Sequence, residues 1–91
     1  MIVTLEKMKN YLRIDFNDDD HLIETLISSS SRLCMDILRI DDEMLLLDIK
    51  NLKPAVMYSV AYLYEHREEA DHHALVLTLR SLLFGSRMEV F

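Results

Sequence analysis

The stretch Lys53-Pro54-Ala55-Val56-Met57-Tyr58-Ser59-Val60-Ala61-Tyr62-Leu63-Tyr64-Glu65-His66-Arg67-Glu68-Glu69 decides how this chain is read. It begins with the only proline, carries three of the four tyrosines and ends in a run of charge. Pro54 suits the first turn of a helix, where its missing N–H is no loss, so the sequence predicts a helix from there to about Glu69. On that helix Val56, Val60 and Leu63 form one stripe. Met57, Ala61 and Tyr64 form the adjacent one, and Tyr58 and Tyr62 lie on a third with Glu65. Apolar character thus covers most of the circumference, which is the mark of a buried helix. Two readings follow. The helix is central and wrapped by its own chain, or part of the wrap comes from a second subunit. Tyrosine suits the second reading because it brings a large area and a polar tip to an interface.

Working outward, 91 residues make one domain with a thin margin of stability. Hydrophobic residues are 51% and charged residues 29%, the balance of a folded protein and not of a disordered tail. One glycine and one proline are too few for the turns of an all-β fold, so long helices and short connections are expected. The net charge of −6 comes with no basic stripe, which argues against a nucleic-acid-gripping surface. Cys34 is the only cysteine and has no disulfide partner within the chain. Residues 1–20 lack the apolar core of a secretory signal, and no run of 18 apolar residues exists, so no membrane partner and an intracellular setting are expected.

The flanking segments also read as helices. Thr4 can cap a first helix to about Arg13, with Leu5, Met8, Tyr11 and Leu12 on one face. Asp15-Phe16-Asn17-Asp18-Asp19-Asp20 breaks the pattern, because short polar side chains compete for backbone N–H groups. A long second helix then runs from about Asp18 to Ile40, roughly 33 Å. Its apolar stripe is Ile23, Leu26, Ile27, Ser30, Leu33, Cys34, Ile37 and Leu38. Ser28 to Ser31 are small enough to admit another helix closely. Asp41-Asp42 can cap a short third helix through Met44, Leu45, Leu46 and Leu47. The proline-started helix is the fourth. Asp71 can cap a fifth from His72 to Phe84, with Gly85 as its stop. The tetrapeptide Leu-Arg-Ile-Asp occurs at residues 12–15 and again at 38–41, at two helix ends. It reads as a shared local need: a basic last turn, an apolar plug and an acidic cap. The fold expected is all-α, a small bundle of four to five helices with a long second helix and a central fourth helix. The domain spans 1–85 and a C-terminal tail 86–91.

Searches for chemistry fail one by one. Asp15-x-Asn17-x-Asp19 opens like a calcium loop, but Asp20 and Leu26 stand where the glycine and the bidentate glutamate belong. His66, Glu69 and His73 would share a face only if one helix ran through them, and Glu68 to Asp71 reads as a break, so the histidines are solvated. Cys34 has no activating base near it in sequence. One glycine cannot build a phosphate loop. No catalytic residue, cofactor or metal is expected. What remains is surface for partners. The central helix offers some, and so does Leu82-Leu83-Phe84-Gly85-Ser86-Arg87-Met88-Glu89-Val90-Phe91, whose five large apolar residues look like a docking peptide.

The chain resembles the head–tail connector (head-completion adaptor) family of tailed double-stranded DNA phages and prophages. The resemblance rests on Met1 to Asp15, the acidic turn into Leu22-Ile23-Glu24-Thr25-Leu26-Ile27, and Lys53-Pro54-Ala55-Val56. It continues through Ala61-Tyr62-Leu63-Tyr64-Glu65-His66-Arg67-Glu68 and Ser81-Leu82-Leu83-Phe84-Gly85-Ser86-Arg87. Family members often turn through Thr-Gly after the second helix, where this chain has Arg39-Ile40-Asp41-Asp42, and the His72-His73 region has no counterpart. The resemblance implies a helical subunit of a ring of about twelve copies under the portal, in the virion at the head–tail junction and assembled in the host cytoplasm. The ring would extend the DNA channel and support head completion and tail attachment, with portal and the next head-completion or tail protein as partners. DNA would pass without specific binding, since about twelve copies at −6 total roughly −72. Closed rings use heterologous contacts, so two faces should be sticky. The expected contact residues are Val56, Tyr58, Tyr62, Leu82, Leu83, Phe84, Arg87, Met88 and Phe91. The rival reading is a small acidic helical regulatory protein acting as a dimeric protein-binding module.

Overall fold

Two short polar side chains and two left-handed arginines set the helix boundaries. In the computed structural model, which describes residues 2–39 and 51–84, α1 spans Leu5–Leu12. Its N-cap is Thr4, whose Oγ1 accepts a hydrogen bond from the Lys7 N–H at 3.1 Å. Val3 and Met8 hold the two positions of a hydrophobic staple, and both lie in the core. Arg13 ends the helix with φ 62°. Its N–H reaches the Asn10 carbonyl at 3.2 Å, and the Ile14 N–H reaches that of Lys9 at 2.9 Å. This pair of bonds is the Schellman closure, usually built on glycine.

The second copy of the tetrapeptide does the same. α2 spans Asp20–Leu38, and Arg39 ends it at φ 59° with its N–H on the Asp36 carbonyl. The repeat therefore places its arginine one position past the last turn, not in it as the sequence suggested. α3 spans Leu52–Glu65, the helix expected as the fourth, and Pro54 sits in its first turn. α4 spans His72–Phe84, as expected, and Asp71 Oδ1 accepts from the Ala74 N–H at 3.0 Å to cap it. The short helix expected after Asp41-Asp42, and the stop at Gly85, lie outside the described residues.

α3 ends four residues earlier than expected. His66 to Glu69 form a turn, with the Glu69 N–H on the His66 carbonyl at 3.1 Å. The negative end of a helix dipole disfavours further carboxylates, and Glu65, Glu68 and Glu69 crowd this point.

All described secondary structure is helical. α2 and α3 run antiparallel. Ser30 meets Ser59 midway, and Asp19 ahead of α2 meets Tyr64 near the end of α3. α4 returns antiparallel to α3, tied by the Asp71 N–H to Tyr62 Oη at one end and by Asn51 Nδ2 to the Leu82 carbonyl at the other. α2 and α3 each touch all three other described helices, so the helix expected at the centre shares that place with α2. The all-round apolar character of α3 thus serves the subunit's own core to a large extent.

That core comprises Ile23, Ile27, Cys34 and Met35 of α2, Leu52, Ala55, Val56 and Val60 of α3, and Leu75, Leu79 and Leu83 of α4. Met8, Ile2 and Val3 close one side. Of the expected α2 stripe, Leu26, Leu33, Ile37 and Leu38 are only partly buried, while Met35, which the stripe left out, is in the core. Ser30 and Ser59 are both fully buried, and the small pair lets α2 and α3 approach. No helix among the described residues is long and apolar enough to cross a membrane.

Candidate interaction surfaces

The residues expected to make contacts fall into three groups. Val56 and Leu83 lie inside the subunit's own core, at 0% and 1% exposure, so neither presents surface to a neighbour. Val56 is on the α3 face it shares with Leu52, Ser59 and Val60. Leu83 continues the Leu75–Leu79 stripe at helical spacing. Tyr58 is exposed, and Tyr62, Leu82 and Phe84 are half-buried. Arg87, Met88 and Phe91 lie outside the described residues.

Tyr58 and Tyr62 belong to a longer strip than the sequence indicated. Their rings are stacked with centroids 6.4 Å apart, and Tyr62 stacks in turn on His66 at 4.4 Å. Spacing of four residues puts all three rings on one line. Two bonds fix the far end. The His66 Nδ1 lies 2.9 Å from the Tyr62 carbonyl, and since a carbonyl only accepts, that nitrogen carries the proton. Tyr62 Oη accepts from the Asp71 N–H at 2.9 Å. The signal in sequence is the Tyr-x-x-x-Tyr-x-x-x-His spacing of Tyr58, Tyr62 and His66.

A polar cluster sits beside this strip. Tyr64 donates its hydroxyl proton to Asp19 Oδ2 at 2.5 Å, and Arg67 lies 3.9 Å from the same oxygen. The Arg67 guanidinium also covers the Tyr64 ring, 4.9 Å from its centroid. The Tyr64 hydroxyl is held above the ordinary tyrosine value, chiefly because Asp19 holds its proton. Burial and the Asp19 charge add to this, and Arg67 opposes it. Asp19 makes no capping bond to its own helix, so its carboxylate serves the α2–α3 junction instead.

Asn17 and Asp20 of the α1–α2 turn are engaged as well. Lys9 Nζ lies 2.7 Å from Asn17 Oδ1 and 2.7 Å from Asp20 Oδ1, tying α1 to the start of α2. Of the residues that open like a calcium loop, Asn17 and Asp19 therefore act as tethers between helices. Cys34 is fully buried, and burial pushes its thiol up to about 11.

Further large apolar side chains are exposed: Tyr11 at 54%, Phe16 at 50% and Leu77 at 52%. Apolar area on α1, on the turn after it, on α3 and on α4 is thus left uncovered by the described residues.

No curated protein and no solved structure matches the chain. A family model described as phage gp6-like head-tail connector protein matches residues 2–86. With that match over nearly the whole sequence, and with an all-helical bundle built as the sequence required, the chain belongs to the phage gp6-like head-tail connector family and is a structural connector protein.

Proposed function

We propose that the chain is the repeating subunit of a closed ring beneath the portal, which extends the DNA channel and carries the next head-completion or tail protein. The family match over residues 2–86 is the observation that carries this reading. The distribution of exposed apolar side chains supports it. Tyr11, Phe16, Tyr58 and Leu77 lie on different elements, and a head-to-tail ring requires two different contact faces on each subunit. The charge of −6 supports a channel that does not hold the DNA passing through it.

In this role Tyr58, Tyr62, Leu82 and Phe84, together with Arg87, Met88 and Phe91, supply contacts to a neighbour or to a partner protein. The segment from Leu82 to Phe91 docks on portal or on the next subunit, for which its apolar residues after the fourth described helix are suited. Deleting Ser86–Phe91 is expected to weaken assembly on portal. Unchanged assembly after the deletion would remove the segment from the account.

Electron micrographs of the purified chain, alone and mixed with portal, test the role. Rings, or an added layer on portal particles, are expected. A dimer that leaves portal particles unchanged contradicts the reading and favours a regulatory protein.

A further inference from the structure

Two exposed apolar side chains, on different elements, stand beside charges of opposite sign. Phe16, in the turn between α1 and α2, is 50% exposed. Four aspartates surround it in sequence, at 15, 18, 19 and 20. Asp19 and Asp20 are turned inward to Tyr64 and Lys9. Asp15 and Asp18 are exposed and have no ion-pair partner among the described residues. Leu77, on α4, is 52% exposed. α4 is the one described helix that holds no Asp or Glu, in a chain that has 16 of them. Arg80 follows Leu77 by three residues, so the two share a face. It too is exposed and without an ion-pair partner among the described residues. Phe16 and Leu77 do not cover each other within one subunit, since each keeps half its surface open.

We propose that the Phe16 turn of one copy docks on the Leu77–Arg80 face of α4 in the next, Phe16 against Leu77 and the carboxylates of Asp15 and Asp18 toward Arg80. This rests on the ring reading and names the two faces that reading requires. Copies of net charge −6 repel one another at long range, so their contact needs a place where an acidic edge meets a cation and no carboxylate. The outer face of α4 is such a place. The occupant is a second copy because one chain carries both halves of the contact, on elements that leave each other open. Two apolar side chains exclude water beside the guanidinium, which strengthens its pairing with a carboxylate. A contact between two different faces leaves one of each free on every joined pair, so it runs head to tail and closes where the rotation allows.

Charge reversal with rescue tests it, read by native mass of the full chain at several concentrations, alone and with assembled portal. Arg80→Asp should weaken assembly about tenfold or more, and so should Asp15→Arg combined with Asp18→Arg. These changes move the net charge in opposite directions, so a loss in both is a loss of the pairing. All three changes in one chain should restore assembly to within about threefold of the natural chain. Phe16→Ser and Leu77→Ser should each weaken it about tenfold. All these positions are exposed, and thermal unfolding of each variant should stay close to that of the natural chain. Reversed variants that assemble as the natural chain does overturn the proposal and leave the ring standing. Folded reversed variants that fail to assemble, with no recovery in the triple change, also overturn it. A natural chain that only dimerises, through a contact that Arg80→Asp breaks and the triple change restores, supports the contact and removes the ring. A natural chain that associates neither with itself nor on portal overturns both.

Discussion

Ser30 donates its hydroxyl proton to Ser59 Oγ at 2.7 Å, and both residues are completely buried between α2 and α3. The pair is the polar centre of an otherwise apolar contact. Two small side chains bring the helices close, and each hydroxyl compensates the desolvation of the other. Ser59→Ala leaves the Ser30 hydroxyl without this acceptor and is expected to cost about 2 kcal/mol. Changing both to alanine should cost about 1 kcal/mol less than the two single changes together. Urea unfolding of the four proteins checks this, and strict additivity would show that the two hydroxyls are not coupled.

Tyr64 and Asp19 give a pH dependence. The Tyr64 proton is held in the folded state, so its folded value lies above its unfolded one. A raised value means the contribution to stability is complete below the ordinary tyrosine range near 10, and is lost as pH rises through the folded value. Stability should therefore fall more steeply above pH about 10 in the natural chain than in Tyr64→Phe. At pH 7 the Tyr64→Phe change should cost about 1 kcal/mol, modest because the contact is only partly shielded from water. Parallel pH profiles for the two proteins would contradict this assignment.

Arg13 and Arg39 hold left-handed backbone at φ 62° and 59°, where a β-carbon is unfavourable. Arg13→Gly and Arg39→Gly should each stabilise the fold, by about 0.5–1 kcal/mol. The prediction is specific in direction, since glycine almost anywhere else in these helices would destabilise. Thermal unfolding reads it directly.

Cys34 should be inert in the folded protein. It is fully buried, and its thiol is pushed up to about 11, so little thiolate exists near pH 8. Alkylation should run about a hundredfold or more slower than in urea-unfolded chain. Fast labelling under native conditions would mean that α2 separates from the core.

Much of this architecture was legible in the sequence because local signals and tertiary packing agree. Thr4 and Asp71 cap the helices they were expected to cap, and the α4 boundaries follow from Asp71. Ser30 was placed on the buried stripe of α2, although its partner Ser59 was not foreseen, because a lone serine inside an apolar helix carries no pairing signal. The left-handed arginines were hidden for a physical reason. Glycine announces such a cap and arginine does not, so only the repeated Leu-Arg-Ile-Asp pointed to a common structure. At the candidate site, Val56 looked available because helical periodicity gives the faces of α3 but not which neighbour covers each. Leu83 was taken with the tail that follows it, although its own spacing belongs to the core. The four-residue spacing of Tyr58, Tyr62 and His66 was legible, but helical spacing gives a shared face and not the ring stacking, which depends on side-chain rotamers.

The central claim is that copies of this chain close into a ring at the portal vertex. Native mass measurement of the chain with assembled portal, at several chain concentrations, tests it most directly. The account predicts portal particles that gain a fixed, saturating number of chains, with no partly filled species stable at excess chain. A dimer of constant mass beside unaltered portal would contradict it.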